Sequence, residues 1–201
     1  MKRHQDQLGK TVRVLAHLLK KGKVDPNKTM ELYYICKTEH LIAVDSSDFQ
    51  ENIDAHIFSD GACNIFQRLD QIATEILKNN GNRVSIYILT NGRWNAQGQD
   101  DLCGVDRVIK RLLNDVKKGD KESNHVAVQF IRFYQANSPE DDEGRARLEY
   151  LDDNLAEEFR RENLGFARGD IVDTTDWDGD VGKMLLGGVF SEIDGREAGT
   201  C

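Results

Sequence analysis

The residues of this sequence that come nearest in type and spacing to a known binding site are acidic, and the site they resemble is one for calcium. The segment Asp176-Trp177-Asp178-Gly179-Asp180 begins like a calcium-binding loop, in which alternating carboxylates ligate the ion. Such a loop needs glycine in the sixth place and glutamate in the twelfth, whereas here glycine is fourth and Gly187 is twelfth. We therefore predict that these aspartates cap the helix that follows them and favour its positive end.

Two further segments carry oxygen ligands that suit a hard cation. For Asp45-Ser46-Ser47 we predict a surface turn that caps a short helix at Asp48. For Pro139-Glu140-Asp141-Asp142-Glu143 we predict a solvated loop. The alternative is an acidic loop that attracts a cation.

Sequence motifs of common enzyme chemistry are missing. No G-x-G-x-x-G follows a strand, no G-x-x-x-x-G-K-[ST] occurs, and no G-x-S-x-G exposes a serine nucleophile. The histidines and cysteines have no zinc-ligand spacing. We therefore expect that the protein is not an enzyme. A catalytic triad whose residues meet only in the folded chain remains an alternative.

Charge and hydropathy exclude further classes of protein. The net charge is -8, with 27 Lys and Arg against 35 Asp and Glu, so a nucleic-acid partner is disfavoured. The net charge is +6 over residues 1–28 and -11 over residues 135–201. We predict that these charges lie on solvated helix faces. The alternative is that the basic end docks on the acidic end or on an acidic partner. We find no membrane-length apolar run, no signal-peptide core and only scattered cysteines, and we expect a cytoplasmic protein without membrane contact.

The elements that would position any site alternate between strand and helix. Hydrophobic spacing predicts helices, and continuous apolar runs predict strands buried on both faces. The predicted helices lie at 6–21, 62–78, 105–116, 148–159 and 181–193, and the predicted strands at 30–36, 41–44, 83–90, 125–134 and 171–172. The pattern indicates a single α/β domain over residues 1–201 around a mainly parallel central sheet flanked by helices. Its ligands would bind outside the carboxyl ends of the strands.

The run IYILTNG at 86–92 resembles the von Willebrand factor A (vWA) domain family, whose fourth strand typically ends in T-D-G. The resemblance is to a fungal group of such domains, and it covers nearly the whole chain in the expected order. Its other motifs are D-P-N at 25–27, MELYYIC at 30–36, GACNIFQRL at 61–69, VAVQFIRFY at 126–134, LDDNL at 151–155 and DIVDT at 170–174 with Trp177 nearby. The resemblance implies a Rossmann-like fold.

The family holds a divalent cation, usually magnesium, in a metal-ion-dependent adhesion site. The ligands are a D-x-S-x-S after the first strand, a threonine in the glycine-rich turn and the aspartate of T-D-G. Here the first strand and its D-x-S-x-S are absent, Ile65 stands at the threonine position, and Asn91 stands in place of the aspartate. Isoleucine cannot ligate and an amide lacks the charge of a strong site, so we expect a degenerate site without metal. Magnesium is expected only if an upstream D-x-S-x-S exists.

The missing first strand also has a structural consequence, because in this family it lies in the middle of the sheet beside the fourth strand. Without it, the strands at 30–36 and 83–90 would face a gap or pair directly. We expect the natural domain to begin upstream, so that the chain is truncated at its N-terminus. The alternative is a genuine short variant that closes its sheet differently.

The function that the resemblance implies is a non-catalytic protein-interaction module that binds another protein. The expected surface lies at the strand ends and consists of Ser59, Asp60, Asn64, Asn91, Arg93 and Trp94. Arginine and tryptophan just past a strand end suit a binding hot spot. For Trp94, packing under its own loop is an equal alternative.

Two other functions remain as alternatives. One is a magnesium-dependent vWA adhesion domain within a longer natural protein. The other is a small α/β nucleotide-binding enzyme that uses Asp60, Asn91, Asp100 and Asp101.

Overall fold

A computed structural model describes residues 1–22, 30–35, 40–43, 45–58, 64–78, 84–94, 104–118, 126–135, 138–161 and 171–186. The chain divides into two compact units, Met1–Cys63 and Asn64–Cys201. The single domain expected over residues 1–201 stays a prediction. No helix in the described ranges is both long and apolar enough to cross a membrane.

The first unit consists of two helices and a hairpin. After a short 3-10 turn at Lys2–His4, helix α1 spans Gln5–Gly22 and confirms the helix predicted at 6–21. Strands β1 (Met30–Tyr33) and β2 (His40–Ala43) pair antiparallel, and helix α2 spans Ser46–Ala55. The core of this unit lies between α1 and α2, and it is built from Leu8, Val12, Leu15, Phe49 and Ile53.

The hairpin corrects one sequence-based expectation. The strand predicted at 30–36 was expected to be buried on both faces, as in a parallel sheet. The structure shows β1 as a short antiparallel strand with Glu31 exposed and its other residues only half-buried. An apolar run with tyrosines suits a two-stranded hairpin equally well, because the periodicity does not reveal which strand will be the neighbour.

The second unit is built around a parallel sheet. Strands β3 (Val84–Thr90), β4 (Val126–Arg132) and β5 (Val172–Asp176) lie in chain order, and both pairings are parallel. The α/β class and a parallel sheet flanked by helices are thus confirmed in this unit. In the described part of this unit, the sheet has the order β3-β4-β5.

Helices connect these parallel strands, as the long crossovers require, and further helices precede and follow the sheet in the chain. They are α3 (Ile65–Lys78), α4 (Val105–Lys118), α5 (Pro139–Glu149), α6 (Leu155–Arg161) and α7 (Val181–Leu186). A π-helical turn, Tyr150–Asn154, joins α5 to α6, so the helix predicted at 148–159 becomes three segments. Strand β4 lies at the centre, where six of its seven residues are buried. The part of the last predicted helix after Leu186 lies outside the described residues.

Two helix N-terminal caps were predicted from the sequence, and both are present in the structure. Asp45 caps α2 in a reciprocal capping box with Asp48, which confirms the predicted turn at Asp45-Ser46-Ser47. Of the aspartates predicted to cap the last helix, Asp180 does so, because its carboxylate accepts a hydrogen bond from the backbone N–H of Lys183 at 2.7 Å. Asp176 and Asp178 bind Arg132 and Tyr134 instead.

The solvated loop predicted at 139–143 is wrong, because these residues form the first turn of α5. Pro139 occupies the first turn of the helix, where its missing N–H costs no hydrogen bond. Asp141 is 6% exposed, and its carboxylate accepts a hydrogen bond from the backbone N–H of Gln135 at 2.7 Å. A carboxylate near a helix N-terminus is favoured by the helix dipole, and this explains the acidic start.

Candidate functional site

The carboxyl ends of the three parallel strands form the candidate site of the second unit. The register places Thr90 beside Arg132, and Arg132 beside Asp176, so the three strands end at a common level. In open α/β sheets this edge is where ligands and partners bind, because the loops that follow the strands converge there. The sequence predicted that the loops after Cys36, Thr90 and Tyr134 carry function; Cys36 lies outside the described residues, and the other two loops follow β3 and β4 of this unit.

The segment Asn91–Trp94, which we call the β3-end segment, begins with a tight local turn. The buried hydroxyl of Thr90 accepts a hydrogen bond from the N–H of Gly92 at 3.0 Å. The side-chain oxygen of Asn91 accepts one from the N–H of Arg93 at 3.2 Å. Gly92 has a φ of +70°, a left-handed conformation that glycine adopts without strain. These contacts give the segment a defined geometry.

Helix α5 packs directly on this segment through a second glycine. A Cβ on Gly92 would lie 2.3 Å from the carbonyl oxygen of Gly144, and a Cβ on Gly144 would lie 2.2 Å from the carbonyl oxygen of Asn91. Neither distance is compatible with a side chain. Glycine at position 92 is therefore required by the approach of α5 as well as by the turn.

Arg147 completes the contact between α5 and the β3-end segment. Its side chain is only 10% exposed, and Nη1 donates to the carbonyl oxygen of Gly92 at 3.2 Å. Nη2 donates to Glu143 at 2.6 Å, which holds the guanidinium in place. Together, Gly144 and Arg147 fix the position of the segment by backbone contact and by a charge-assisted hydrogen bond.

The predicted surface residues have different positions. Arg93 is exposed and Asn91 is half-buried, whereas Trp94 is 7% exposed and its ring lies 6.4 Å from that of Phe130. Trp94 thus packs in the core of the unit. This agrees with the alternative prediction for Trp94, which was packing rather than a place on the binding surface. Asn64 is exposed at the start of α3, where its side-chain oxygen accepts a hydrogen bond from the N–H of Gln67 at 3.0 Å.

Four of the residues named from the sequence lie outside the described residues. They are Ser59 and Asp60 of the predicted surface, and Asp100 and Asp101 of the enzyme alternative. Of the predicted surface, the structure brings together Asn91, Arg93 and Trp94 in one segment. Asn64 acts as the N-cap of α3.

Ion pairs and rings hold the ends of β4 and β5 together. Arg132 binds Asp176 through two hydrogen bonds, of 2.6 Å from Nε and 2.9 Å from Nη2. Its guanidinium lies 4.9 Å from the centre of the Tyr134 ring, and the Tyr134 hydroxyl donates to Asp178 at 3.1 Å. We call this group, Arg132, Tyr134, Asp176 and Asp178, the β4–β5 cluster.

Electrostatics in the β4–β5 cluster follow from these contacts. Burial by itself would lower the pKa of Arg132, but the hydrogen bond and the charge of Asp176 raise it above its ordinary value. The hydrogen bond to Asp178, followed by the charge of that carboxylate, raises the pKa of Tyr134. Both Arg132 and Tyr134 therefore keep their protons at neutral pH.

Two positions of the magnesium site considered from the sequence, Ile65 and Asn91, lie in the described residues. Ile65 is 3% exposed in the core and offers no ligand atom, and the side-chain oxygen of Asn91 already accepts a hydrogen bond from Arg93. In the described ranges, no group of three or more His, Cys, Asp or Glu side chains could hold a metal ion.

Sequence reasoning missed Gly144, Arg147 and the pairing of Arg132 with Asp176. Gly144 and Arg147 lie more than fifty residues after the segment that they hold, and nothing local marks them. The Arg132–Asp176 pair left only a weak signal, since the two charges are opposite, but Arg132 lies within the strand predicted at 125–134 and Asp176 lies beyond the strand predicted at 171–172. That signal becomes specific only when the strands are known to be adjacent and in register.

These observations define the class of the second unit as α/β, with a three-stranded parallel sheet and helices in an arrangement compatible with a Rossmann-like fold. No protein-family model matches the sequence, and a comparison with curated proteins finds no match.

Proposed function

We propose that this chain is a vWA-type, non-catalytic protein-interaction module that binds another protein through the carboxyl ends of its parallel strands and works in the cytoplasm without a metal ion. The order of its sequence motifs supports the vWA type. The absence of phosphate-loop and nucleophile motifs from the sequence supports a role in binding rather than catalysis.

The observation that carries the proposal is the way in which Arg93 is presented. Arg93 is exposed, and it stands on a segment held by Asn91, by the contact of Gly92 with Gly144, and by Arg147. A residue on a rigid support loses less conformational freedom on binding, which favours affinity. Arginine is also among the residues most often found at hot spots of protein interfaces.

A capture experiment with quantitative mass spectrometry tests this placement. The full chain is immobilised and exposed to a soluble extract of its source, next to Arg93→Glu and to Arg161→Glu, a matched control at an exposed arginine of α6. We expect a partner that the wild type and the control retain and that Arg93→Glu loses. Equal recovery by all three proteins, or equal loss from both variants, would contradict the proposed surface.

Thermal unfolding tests the part of the proposal that concerns the metal. A ligand that binds only the folded state raises the melting temperature, and the stabilisation grows with the logarithm of its concentration once this exceeds the dissociation constant. We expect millimolar magnesium or manganese to leave the melting temperature unchanged, because neither Ile65 nor Asn91 fits a ligand set. A rise that EDTA reverses would support the magnesium-dependent alternative instead.

A further inference from the structure

Helix α1 of the first unit presents a basic face away from its core. Leu8 and Leu15 are buried in the core that α1 forms with α2, whereas Lys10 and Lys21 are exposed on the opposite side of the helix. Residues 1–22 contain six Lys or Arg and a single Asp, although the net charge of the whole chain is -8. Positive charge is therefore concentrated on one exposed side of a single helix.

Two apolar side chains lie in the middle of this basic face. Val14 is 48% exposed and Leu18 is 36% exposed, and the two are one turn apart on the same side of α1. Lys10 lies one turn before Val14, and Lys21 lies about one turn after Leu18, so two charges about 17 Å apart along the helix bracket an apolar centre. A face that only solvates a helix has polar residues at its centre, so this pattern favours docking on an acidic partner.

The lysines of this face are not used by the fold of the first unit. We give the name α1 stripe to its exposed residues, Lys10, Val14, His17, Leu18 and Lys21. Among the residues that the structure describes, the side chains of Lys10 and Lys21 have no ion pair and no hydrogen bond. Arg13, on the flank of α1, instead donates to the side chain of Gln50 in α2 at 3.0 Å. The charges that hold α1 on α2 and the charges of the α1 stripe are thus different ones.

We propose that the α1 stripe docks an acidic amphipathic helix of another protein. Val14 and Leu18 pack against apolar side chains of that helix, as in other helix-on-helix recognition. Lys10 and Lys21 pair with carboxylates that lie one turn to either side of those apolar side chains. The partner is therefore defined by its pattern, which is two apolar residues three or four positions apart with Asp or Glu one turn before and one turn after them.

A protein helix fits the α1 stripe better than a nucleic acid or a membrane does. A nucleic acid offers a row of phosphates but no apolar groups for Val14 and Leu18, and the net charge of -8 opposes a long polyanion. A helix that binds a membrane interface needs a wide apolar face, whereas Leu8 and Leu15 are buried within the unit. An acidic helix supplies carboxylates and apolar side chains at the matching spacing. This surface belongs to the first unit and is independent of the proposed function, which uses the β3-end segment.

An NMR titration of the isotope-labelled full chain tests the proposal. The probe is a synthetic helical peptide with two leucines four residues apart, a glutamate one turn to either side of them, and alanine and glutamine elsewhere. We expect the amide signals of α1 to shift and the affinity to fall with added salt. Lys10→Gln combined with Lys21→Gln should weaken binding about fivefold, because two exposed charge pairs are lost. The control pair Lys78→Gln and Lys118→Gln removes the same charge from exposed lysines of α3 and α4, and it should weaken binding less than about twofold.

Val14→Ser tests the apolar half of the α1 stripe. We expect it to weaken peptide binding about threefold or more, because apolar area would no longer be buried in the contact. Val181→Ser is the matched control at a valine of α7 that is 42% exposed, and it should leave the affinity unchanged. An affinity that Val14→Ser also leaves unchanged would overturn the proposal, since charge alone would then hold the peptide.

Other outcomes would also overturn it. One is that the peptide does not bind, and another is that both lysine pairs weaken it equally. A third is that poly(A) RNA or phosphatidylserine vesicles bind the wild type more tightly than the peptide and lose affinity with Lys10→Gln and Lys21→Gln. A fourth is that these substitutions, without peptide, shift signals of the acidic residues after 135, because the acidic end of the chain would then occupy the α1 stripe. Arg93→Glu should leave the peptide affinity unchanged, so this proposal and the proposed function fail separately.

Discussion

The β3-end segment and the β4–β5 cluster lie at the same edge of one sheet, yet they are held by different forces. The β3-end segment is held by close contact of two backbones at Gly92 and Gly144, with Arg147 over it. The β4–β5 cluster is held by an ion pair, a cation–π contact and a tyrosine hydrogen bond between partly exposed side chains.

The two regions therefore tolerate different substitutions. The backbone contact allows no added volume, because neither backbone segment can move aside without disturbing the strand or the helix to which it belongs. Side-chain ion pairs tolerate changes of volume, but they respond to salt and to pH. The first arrangement suits a rigid support for a binding residue, and the second suits a link between neighbouring strands.

The largest expected effect is that of Gly144→Ala. The new Cβ would lie 2.2 Å from the carbonyl oxygen of Asn91, so α5 or the β3-end segment must shift. We expect a loss of about 3 kcal/mol of unfolding free energy, measured by urea unfolding, since overpacking at a rigid contact costs this much.

The matched control for Gly144→Ala is Arg145→Ala, at the next position of α5, where the side chain is 53% exposed. It should change the unfolding free energy by less than about 0.5 kcal/mol. If Gly144→Ala stabilises the protein, as alanine normally does in a helix, then the close backbone contact does not exist.

The next effect is that of Arg147→Ala, which leaves the carbonyl oxygen of Gly92 without this donor. We expect a loss of about 2 kcal/mol, typical of a hydrogen bond to a charged group. Arg147→Lys keeps the charge but not the forked geometry, so it should lie between the alanine variant and the wild type. Equal stability of all three proteins in urea unfolding would show that Arg147 does not hold the segment.

A smaller effect is expected for the coupling of Arg132 with Asp176. A double-mutant cycle with Arg132→Met and Asp176→Asn should give a coupling of about 1 kcal/mol, because the pair is bidentate but one partner is 35% exposed. The coupling should fall as salt is raised, whereas the cost of Gly144→Ala should stay constant. A double-mutant cycle on the exposed Arg145–Asp142 pair serves as the reference, and we expect a coupling of about 0.3 kcal/mol there.

The smallest effect is the alkaline titration of Tyr134. Its pKa is raised above the ordinary 10.0, so the folded state favours the protonated hydroxyl. Its contribution to stability is therefore complete below pH 10.0 and is lost as the pH rises through the raised value. The stability difference between wild type and Tyr134→Phe, followed by chemical unfolding at increasing pH, should shrink in that range. A difference independent of pH would mean that the bond to Asp178 is not formed.

The sequence predicted local structure well where the determining contacts are also local. The helix of α1, the strand of β3, the capping box at Asp45 and the cap at Asp180 all follow from residues within a few positions of one another. Helix periodicity and capping are local because their hydrogen bonds join neighbours in the chain. The α/β class of the second unit follows from the alternation of these elements.

Tertiary structure alone decided the pairing of the strands and the construction of the site. The run at 30–36 is an apolar strand from its sequence, but only the fold pairs it with β2. Gly144 and Arg147 gain their role because α5 approaches a segment that is distant in the chain, and Arg132 meets Asp176 because two strands share a register. Such contacts depend on the packing of whole elements, which local composition does not encode.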